Sequence, residues 1–294
     1  SRIETYGDKL ECFVTVTADL ARQQADQADR ERATGQGRGP LHGIPYGVKD
    51  LLDTADIRTT WGAEPYKDRV ATSDGAVVRR LRDAGAVLLG KTTLGALAWG
   101  EVWFGGETRN PWNPKEGASG SSAGSGSATA AALCSFGIGT ETLGSIVSPA
   151  DRNGLSGLRP TFGRVSRVGA MALCWSLDKI GPMCRFTEDT AIVLSALNGY
   201  DEYDSGSIDK GFAYDGRQSV SDLTIAYDPS WFEGENVQDV DLVALEKVRS
   251  LGATIIEISL PELPVSEIMA ALGVESAAAV EELTLSGRDD LLRR

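Results

Sequence analysis

The distribution of apolar residues along the chain predicts several helices. Helices are expected at 15–33, 76–85, 186–200, 239–252 and 265–285. Apolar positions recur at helical spacing in 76–85 and lie on one side in 186–200, whereas 15–33 is predicted from its helix-forming residues and lack of Gly and Pro. Ser73 and Asp74 are expected to cap the second of these helices and Gly85 to end it, and Thr187 is expected to cap the third. These helices alternate with apolar runs that are short enough to be strands.

The short apolar runs predict a sheet. They lie at 44–53 (a buried strand or turn), 86–90, 154–183 (strands and loops), 222–228 and 253–261. The last two flank helix 239–252, and this β–α–β order predicts parallel pairing with a right-handed crossover. We therefore expect an α/β protein.

The stretch 117–149 differs from the rest in its glycine and serine content. It predicts one loop at 117–127, a small-residue helix at 128–136 and a second loop at 137–145. Glycine-rich loops allow backbone N–H groups to approach a ligand closely, because glycine has no Cβ to block the approach. The stretch is therefore a candidate binding or catalytic site.

Composition and charge exclude some classes of protein. Hydrophobic residues make up 41% of the 294 residues and charged residues 24%, which is typical of a globular protein, and the formal net charge is −13. This charge argues against non-specific binding to nucleic acid or anionic membranes. Because the start of the chain lacks a signal sequence and no segment is apolar enough to span a membrane, a cytosolic protein is expected.

The cysteines and the chain ends lead to two further expectations. Cys12, Cys134, Cys174 and Cys184 lack C-x-x-C spacing and have mostly apolar neighbours, so buried thiols are favoured over disulfides or a metal site. The chain lacks an initiating Met and ends at Asp-Leu-Leu-Arg-Arg, so we expect a fragment truncated at its C-terminus.

The change of composition after residue 200 predicts the domain organisation. Residues 1–200 are expected to form a catalytic core. Residues 201–216 are acidic and turn-rich, which predicts a surface excursion or linker. Residues 217–294 are expected to be a β-α-β-α continuation of the same domain.

One motif suggests a function that its context does not support. The sequence GAVLLGKT (85–92) matches the phosphate-loop pattern G-x-x-x-x-G-K-[ST]. That loop has to follow a strand and open a helix, whereas here its four middle residues are expected to be the strand itself. Nucleotide binding is therefore disfavoured.

The residue types that could support nucleophilic catalysis point to a lysine base. His42 is the only histidine, no partner motif accompanies it, and we expect it to be structural. The nucleophile-elbow pattern G-x-S-x-G is absent around Ser145. A lysine can replace histidine as a base if burial makes it neutral, and Lys49 has the apolar neighbours that this requires.

Six motifs in order resemble the amidase signature family. They are GPLHGIPYGVKD (39–50), Asn-Pro-Trp-Asn (110–113), SGSSAGSGSA (119–128), GIGTETLGSI (137–146), GLRPTFGRVSR (157–167) and SLDKIGPM (176–183). The resemblance implies a mixed central β-sheet covered by helices on both faces. It also implies hydrolysis of a small-molecule amide by a Ser–cis-Ser–Lys triad, without a metal or organic cofactor and without nucleic acid as a partner. A homo-oligomer is left open.

The resemblance assigns roles to individual positions. Lys49 resembles the general base, Ser121 the bridging serine and Ser145 the acylated nucleophile, with a cis peptide between Gly120 and Ser121 and Ser122 as a supporting hydroxyl. The oxyanion hole is expected to consist of four backbone N–H groups, those of Thr142, Leu143, Gly144 and Ser145.

Departures from the family pattern bear on the substrate. Ser119 and Ala123 replace glycines of the first loop, Leu143 replaces a glycine of the second, and Val147 replaces an arginine. The loss of the arginine favours a stand-alone amidase over the glutamine-hydrolysing subunit of a tRNA-dependent amidotransferase. The non-enzyme alternative is a binding protein that keeps the fold but has no catalytic activity. The retention of Lys49, Ser121 and Ser145 argues against it.

Overall fold

The computed structural model describes residues 2–234 and 237–293. Contacts divide the chain into two compact units, Ser1–Ala213 with Ala271–Arg294 and Tyr214–Ala270. The sequence-based division at 200 and 216 stays a prediction. Within the described residues, no helix is both long and apolar enough to cross a membrane.

The helices include the five that the sequence predicts. In chain order they are α1 (Arg2–Leu10), α2 (Ala18–Ala33), α3 (Ala76–Asp83), α4 (Ala123–Ala130), α5 (Val147–Arg152), α6 (Thr187–Leu197), α7 (Asp239–Ser250), α8 (Val265–Ala279) and α9 (Glu281–Leu285). The segment predicted as one helix at 265–285 is thus divided into α8 and α9. Helices α1 and α5 have no counterpart among the sequence predictions.

The strands form a central sheet and two small ribbons. In chain order they are β1 (Phe13–Val16), β2 (Pro45–Lys49), β3 (Val87–Thr92), β4 (Val102–Trp103), β5 (Gly106–Glu107), β6 (Phe136–Glu141), β7 (Ser156–Gly157), β8 (Lys179–Cys184), β9 (Thr224–Tyr227) and β10 (Thr254–Glu257). The central sheet has the order β1-β3-β2-β6-β8-β7.

The central sheet is mixed, as predicted. Its three inner strands run parallel: β2 pairs with β3 on one side and with β6 on the other. The flanking strands β1, β8 and β7 are antiparallel to their neighbours. The buried core lies where these inner strands meet α3 and α6, and it includes the stacked rings of Tyr46 and Phe136, whose centroids are 5.4 Å apart. The parallel strands β2 and β6 bring both parts of the candidate site to one end of the sheet.

The 117–149 stretch folds differently from its prediction. The helix expected at 128–136 is α4, Ala123–Ala130, and the loop expected at 137–145 begins inside strand β6. Small residues allow α4 to pack directly on the sheet: a Cβ on Gly124 would lie 2.3 Å from the Thr93 nitrogen, and a Cβ on Gly137 would lie 2.8 Å from the Ser125 oxygen. Tertiary burial therefore outweighs the low helix propensity of glycine and serine.

Two predicted helix caps are also wrong. Gly75 is the N-cap of α3, and the Asp74 carboxylate accepts a hydrogen bond from Ala55 N–H (2.8 Å) instead. Helix α6 has Phe186 at its N-cap, and Thr187 is already helical. In both cases a capping-type residue lies one position away from the place where it would cap the helix.

The second unit contains the predicted parallel pair. Strands β9 and β10 pair in parallel from Thr254 opposite Thr224 to Glu257 opposite Tyr227. Helix α7 lies between them in the chain and begins with a capping box in which Gln238 and Asp241 each bond the other's backbone. The prediction of parallel pairing is therefore confirmed.

Candidate active site

Lys49 ends strand β2 and its side chain is fully buried. Its Nζ donates hydrogen bonds to Ser121 Oγ (2.8 Å), Ser122 Oγ (3.0 Å) and Thr140 Oγ1 (2.9 Å). The structure thus brings the lysine of the first motif together with both serines of the Gly/Ser loop, across 72 and 73 residues of sequence. Thr140 is a member of this cluster that the sequence analysis did not assign.

The surroundings of Lys49 favour the neutral amine. Burial lowers its pKa to about 7, and the negative charges of Asp178 and Glu141 offset this effect only in part. Among the described residues, no carboxylate forms an ion pair with the Lys49 ammonium group. At neutral pH, a substantial fraction of Lys49 is therefore unprotonated and able to accept a proton.

The first Gly/Ser loop has the backbone geometry that the resemblance implies at Ser121. The Gly120–Ser121 peptide is cis. Residue 120 has no room for a side chain, because a Cβ there would lie 1.9 Å from the carbonyl oxygen of Gly100. Ser122 N–H donates to Ser145 O at 3.2 Å, so the two loops are in backbone contact. The first loop therefore places Ser121 next to Lys49 and the start of α4 next to Ser145.

Glu141 organises the second loop, and the sequence analysis gave it no role. Its Oε2 accepts hydrogen bonds from the N–H groups of Ile146 (2.8 Å) and Val147 (3.0 Å), and its Oε1 accepts one from Arg159 (3.0 Å). Burial opposes ionisation of this carboxyl, but the donors from Val147, Ile146, Arg159 and Gly144 hold its pKa below the usual range. A buried carboxylate thus holds the backbone on both sides of Ser145.

Replacement of Glu141 by glutamine is expected to loosen this loop. The variant keeps the size of the side chain but loses the charge and one of the two acceptor oxygens, which should cost about 1–3 kcal/mol of unfolding free energy. Thermal melting measures the loss, and hydrogen exchange at Ile146 and Val147 should quicken.

Arg159→Gln is the control for that experiment. Its side chain is 53% exposed, so water can replace its bond to Glu141 Oε1, and the variant leaves the bonds from Ile146 and Val147 to Glu141 Oε2 in place. We expect a melting temperature within a few degrees of the wild type. Unchanged exchange at Ile146 and Val147 in Glu141→Gln would refute the bracing role.

A cavity of about 220 Å³ lies beside the lysine cluster. Thr140, Thr142 and Asp178 line it, and we call it the Thr142 cavity. Thr142 Oγ1 donates to Asp178 Oδ1 at 2.5 Å, while Asp178 Oδ2 accepts from Leu173 N–H at 2.8 Å. Thr140 thus both lines the cavity and accepts a hydrogen bond from Lys49.

Comparison of the whole chain with known proteins gives the same family as the six motifs. The family model described as Amidase matches residues 1–289. The chain belongs to the amidase family. The prediction from the six motifs is therefore confirmed, together with the mixed-sheet fold that it implies.

Curated and solved relatives include proteins named as amidases and as part of an amidotransferase. A glutamyl-tRNA(Gln) amidotransferase subunit of Halorhodospira halophila (strain DSM 244 / SL1) is 40% identical over 273 residues, which cover 89% of this chain and 56% of that protein. The native peptide amidase of Stenotrophomonas maltophilia is 34% identical with a TM-score of 0.83, covering 98% of this chain and 63% of that structure. An amidase family protein of Bacillus anthracis str. Ames has a TM-score of 0.85 at 30% identity, covering 96% and 59%. The chain thus spans little more than half the length of the curated relatives that it matches.

The four N–H groups predicted as an oxyanion hole, at residues 142–145, lie in the loop between β6 and α5. Gly144 has a left-handed backbone (φ +93°), which turns the loop towards Ser145. The Gly144 N–H faces the Glu141 carboxylate and helps to lower its pKa. The Leu143 side chain is 60% exposed and that of Val147 is 40% exposed. Of the four departures from the family pattern, two are therefore exposed, Leu143 in this loop and Val147 at the start of α5.

A second buried lysine argues against nucleotide binding at the phosphate-loop match. Lys91 belongs to the phosphate-loop match, but it lies within strand β3 and is fully buried. Its Nζ lies 3.2 Å from Asp50 Oδ1 and donates to Leu52 O and Thr59 Oγ1, each at 2.7 Å. Three of the four middle residues of the motif lie in strand β3, which begins at Val87, and the lysine is held by a carboxylate of its own chain.

In the described part of the chain, no hydrogen bond or ion pair joins His42 to the serine cluster. Its ring is buried against α2, with Nε2 2.9 Å from Ala28 O and Nδ1 3.8 Å from Glu31 Oε2. These contacts support the structural role that the sequence predicts. All four cysteine thiols are free and buried in the described chain.

Proposed function

We propose that this chain carries the active site of an amidase that hydrolyses a carboxylic amide through an acyl-Ser145 intermediate. The observation that carries the proposal is the buried Lys49, whose pKa is lowered to about 7 and whose amine is 2.8 Å from Ser121 Oγ. A neutral amine that bonds a hydroxyl is the arrangement in which a lysine can act as a general base. In this proposal Lys49, Ser121 and Ser145 are the catalytic residues.

The first half of the reaction forms the acyl-enzyme. Lys49 takes the proton of Ser121 while Ser121 takes that of Ser145, and Ser145 Oγ attacks the amide carbonyl carbon. The new C–O bond converts the carbonyl into a tetrahedral oxyanion, for which the N–H groups of the 142–145 loop are the candidate donors, with that of Gly144 shared with Glu141. Collapse of this intermediate breaks the C–N bond. The proton returns through the relay to the leaving nitrogen, which departs as ammonia or an amine.

The second half releases the acid. Water gives its proton to the same relay and attacks the acyl carbon, and Ser145 leaves with a proton. Among the described hydrogen bonds there is none between the hydroxyls of Ser121 and Ser145. In unliganded enzymes such catalytic bonds are often long and tighten in the substrate complex. All of these steps use side-chain and backbone groups of this chain.

One second function has a specific observation in its favour. A relative at 40% identity bears the name of an amidotransferase component. The whole protein could therefore hydrolyse glutamine as part of a complex that acts on tRNA. In that case activity would depend on partner proteins, whereas a stand-alone amidase needs none. Location in the cytosol and homo-oligomer formation stay predictions.

The pH dependence of activity tests the proposed base. The unprotonated fraction of Lys49 exists above its pKa and is lost below it, so kcat/KM should fall about tenfold per pH unit below pH 7 and level off above it. The measurement is kcat/KM for a neutral amide between pH 5 and 9, with Ser145 labelling by a fluorophosphonate followed over the same range. A kcat/KM that stays level down to pH 5 would contradict Lys49 as the base, and failure of the reagent to label Ser145 would refute the nucleophile.

A further inference from the structure

Two consecutive residues at the start of β8 hold Thr142 at two points. Asp178 Oδ1 accepts a hydrogen bond from Thr142 Oγ1 at 2.5 Å, and Lys179 Nζ donates one to Thr142 O at 3.1 Å. Lys179 is the first residue of β8, and Asp178 directly precedes it. The side chain and the carbonyl group of Thr142 are therefore both held from the neighbouring strand.

Packing contributes little to the conformation of the loop that follows Thr142. The Leu143 side chain is exposed, and Gly144 has a left-handed backbone with open space where a Cβ would lie. Neither residue belongs to a helix or a strand. Side-chain packing therefore does not fix the peptide plane between Thr142 and Leu143, and the hydrogen bond from Lys179 to Thr142 O sets its orientation.

That orientation determines the direction of one N–H group. In a trans peptide the C=O and the following N–H lie in one plane and point in opposite directions, so a bond that fixes Thr142 O also fixes Leu143 N–H. Within the described residues, no acceptor of the chain bonds Leu143 N–H, whereas Gly144 N–H faces the Glu141 carboxylate. Leu143 N–H is thus a donor of fixed direction that is available to an oxygen of a bound molecule.

The Lys179 amine also brings positive charge to this peptide group. Glu141 lies directly opposite Lys179 in the β6–β8 pair, but its ion pair is with Arg159, and no carboxylate of the described residues pairs with Lys179. Burial lowers the pKa of the Lys179 amine and Arg159 adds to this effect, whereas the carboxylates of Glu141 and Asp178 oppose it and favour the ammonium form. A cation on a carbonyl oxygen polarises the peptide and strengthens its N–H as a donor.

We propose that Lys179 is a positioning residue for amide hydrolysis, which holds the Thr142 carbonyl group and thereby directs Leu143 N–H as a donor to the oxyanion. The inference rests on the proposed function, because it assumes that an oxyanion forms when Ser145 attacks the amide. Lys179 acts through the peptide group between Thr142 and Leu143 and not on the substrate itself. Its contribution should therefore appear in the transition state and not in the binding of the amide.

Lys179→Met tests this role, because it removes the donor and keeps an unbranched side chain of similar length. With propionamide as substrate and the full-length protein, we expect kcat to fall about 10- to 100-fold, since a misdirected oxyanion donor loses part of the effect of such a group. KM should stay within about twofold of the wild type, because the oxyanion is absent from the bound amide. The melting temperature should change by no more than a few degrees, since Lys179 is only partly buried.

Two further variants and one spectroscopic signal complete the test. Lys179→Arg keeps a cationic donor and should recover kcat to within about fivefold of the wild type. Lys115→Met is the matched control, because it removes an exposed lysine, and its kcat should lie within about twofold of the wild type. In ¹⁵N-labelled protein, the amide signal of Leu143 should shift in Lys179→Met and stay in place in Lys115→Met, since it reports on the hydrogen bond to Thr142 O.

The outcomes separate the positioning role from the proposed function. An active wild type with an unchanged kcat in Lys179→Met would overturn the role of Lys179 and leave the amidase proposal in place. A raised KM at unchanged kcat would do the same, because it would make Lys179 a contact of the bound substrate. An unshifted Leu143 signal in Lys179→Met would overturn the role without reference to activity. Absence of wild-type turnover, with Ser145 unlabelled by fluorophosphonate, would overturn the proposed function and this role with it.

Discussion

Ser145→Ala is expected to lower kcat for amide hydrolysis by about 10⁴- to 10⁶-fold, because removal of a serine nucleophile leaves only binding and the oxyanion donors to act. KM should change little, since the hydroxyl contributes mainly to the transition state. The measurement is ammonia release from a small amide under saturating conditions, together with loss of fluorophosphonate labelling.

Ser148→Ala is the matched control for this change. Ser148 lies three positions after Ser145, at the start of α5, and its hydroxyl is 2.7 Å from Ser119 Oγ. Activity within about twofold of the wild type is expected. A Ser145→Ala variant that keeps more than a few per cent of the wild-type kcat would exclude Ser145 as the nucleophile.

Lys49→Met should have a comparably large effect on activity, about 10³-fold or more, without unfolding the protein. The variant has no base at this position, so the acidic limb near pH 7 should disappear along with the activity. Stability should be equal to or higher than that of the wild type, because the native lysine has to give up its proton on burial and methionine does not. Activity against pH and thermal melting are the measurements.

Lys91→Met separates the two buried lysines. Lys91 has the carboxylate partner Asp50, and removal of one member of a buried pair leaves an uncompensated charge that costs about 3–5 kcal/mol. Lys91→Met should therefore lower the melting temperature sharply, whereas Lys49→Met should not. The reverse pattern would contradict the assignment of Lys49 as the neutral base.

The sequence predicts the order of elements well because apolar spacing is a local property. The helices α2, α3, α6 and α7 and the parallel pair β9–β10 are found at their predicted places. Helix α4 is misplaced by several residues, since glycine and serine favour loops locally and only contact with β6 makes them helical here. The caps fail for a similar reason: Asp74 bonds Ala55, a tertiary contact that no local pattern contains.

The order of the motifs predicted which lysine and serines form the site, whereas the contacts of Thr140 and Glu141 became visible only in the folded chain. Lys49 and Ser121 could be paired because the resemblance fixes their roles, although 72 residues separate them. Thr140 and Glu141 lie inside a quoted motif, but nothing in the sequence says which of its polar residues face the lysine and which face the loop. The sequence analysis considered Lys91 only as part of the phosphate-loop match and did not predict its burial against Asp50. Burial and partners decided its role, and both are properties of the folded chain.

The pairing of Thr140 and Glu141 at the end of β6 has a consequence for how this enzyme family can diversify. Adjacent strand residues point to opposite sides, so one dipeptide binds Lys49 through Thr140 and the backbone after Ser145 through Glu141. The wall of the cavity at 170–173 belongs to another part of the chain. Substitutions in that segment can therefore accumulate without disturbing the contacts of Lys49 or of the backbone after Ser145, so these two parts of the chain can evolve separately.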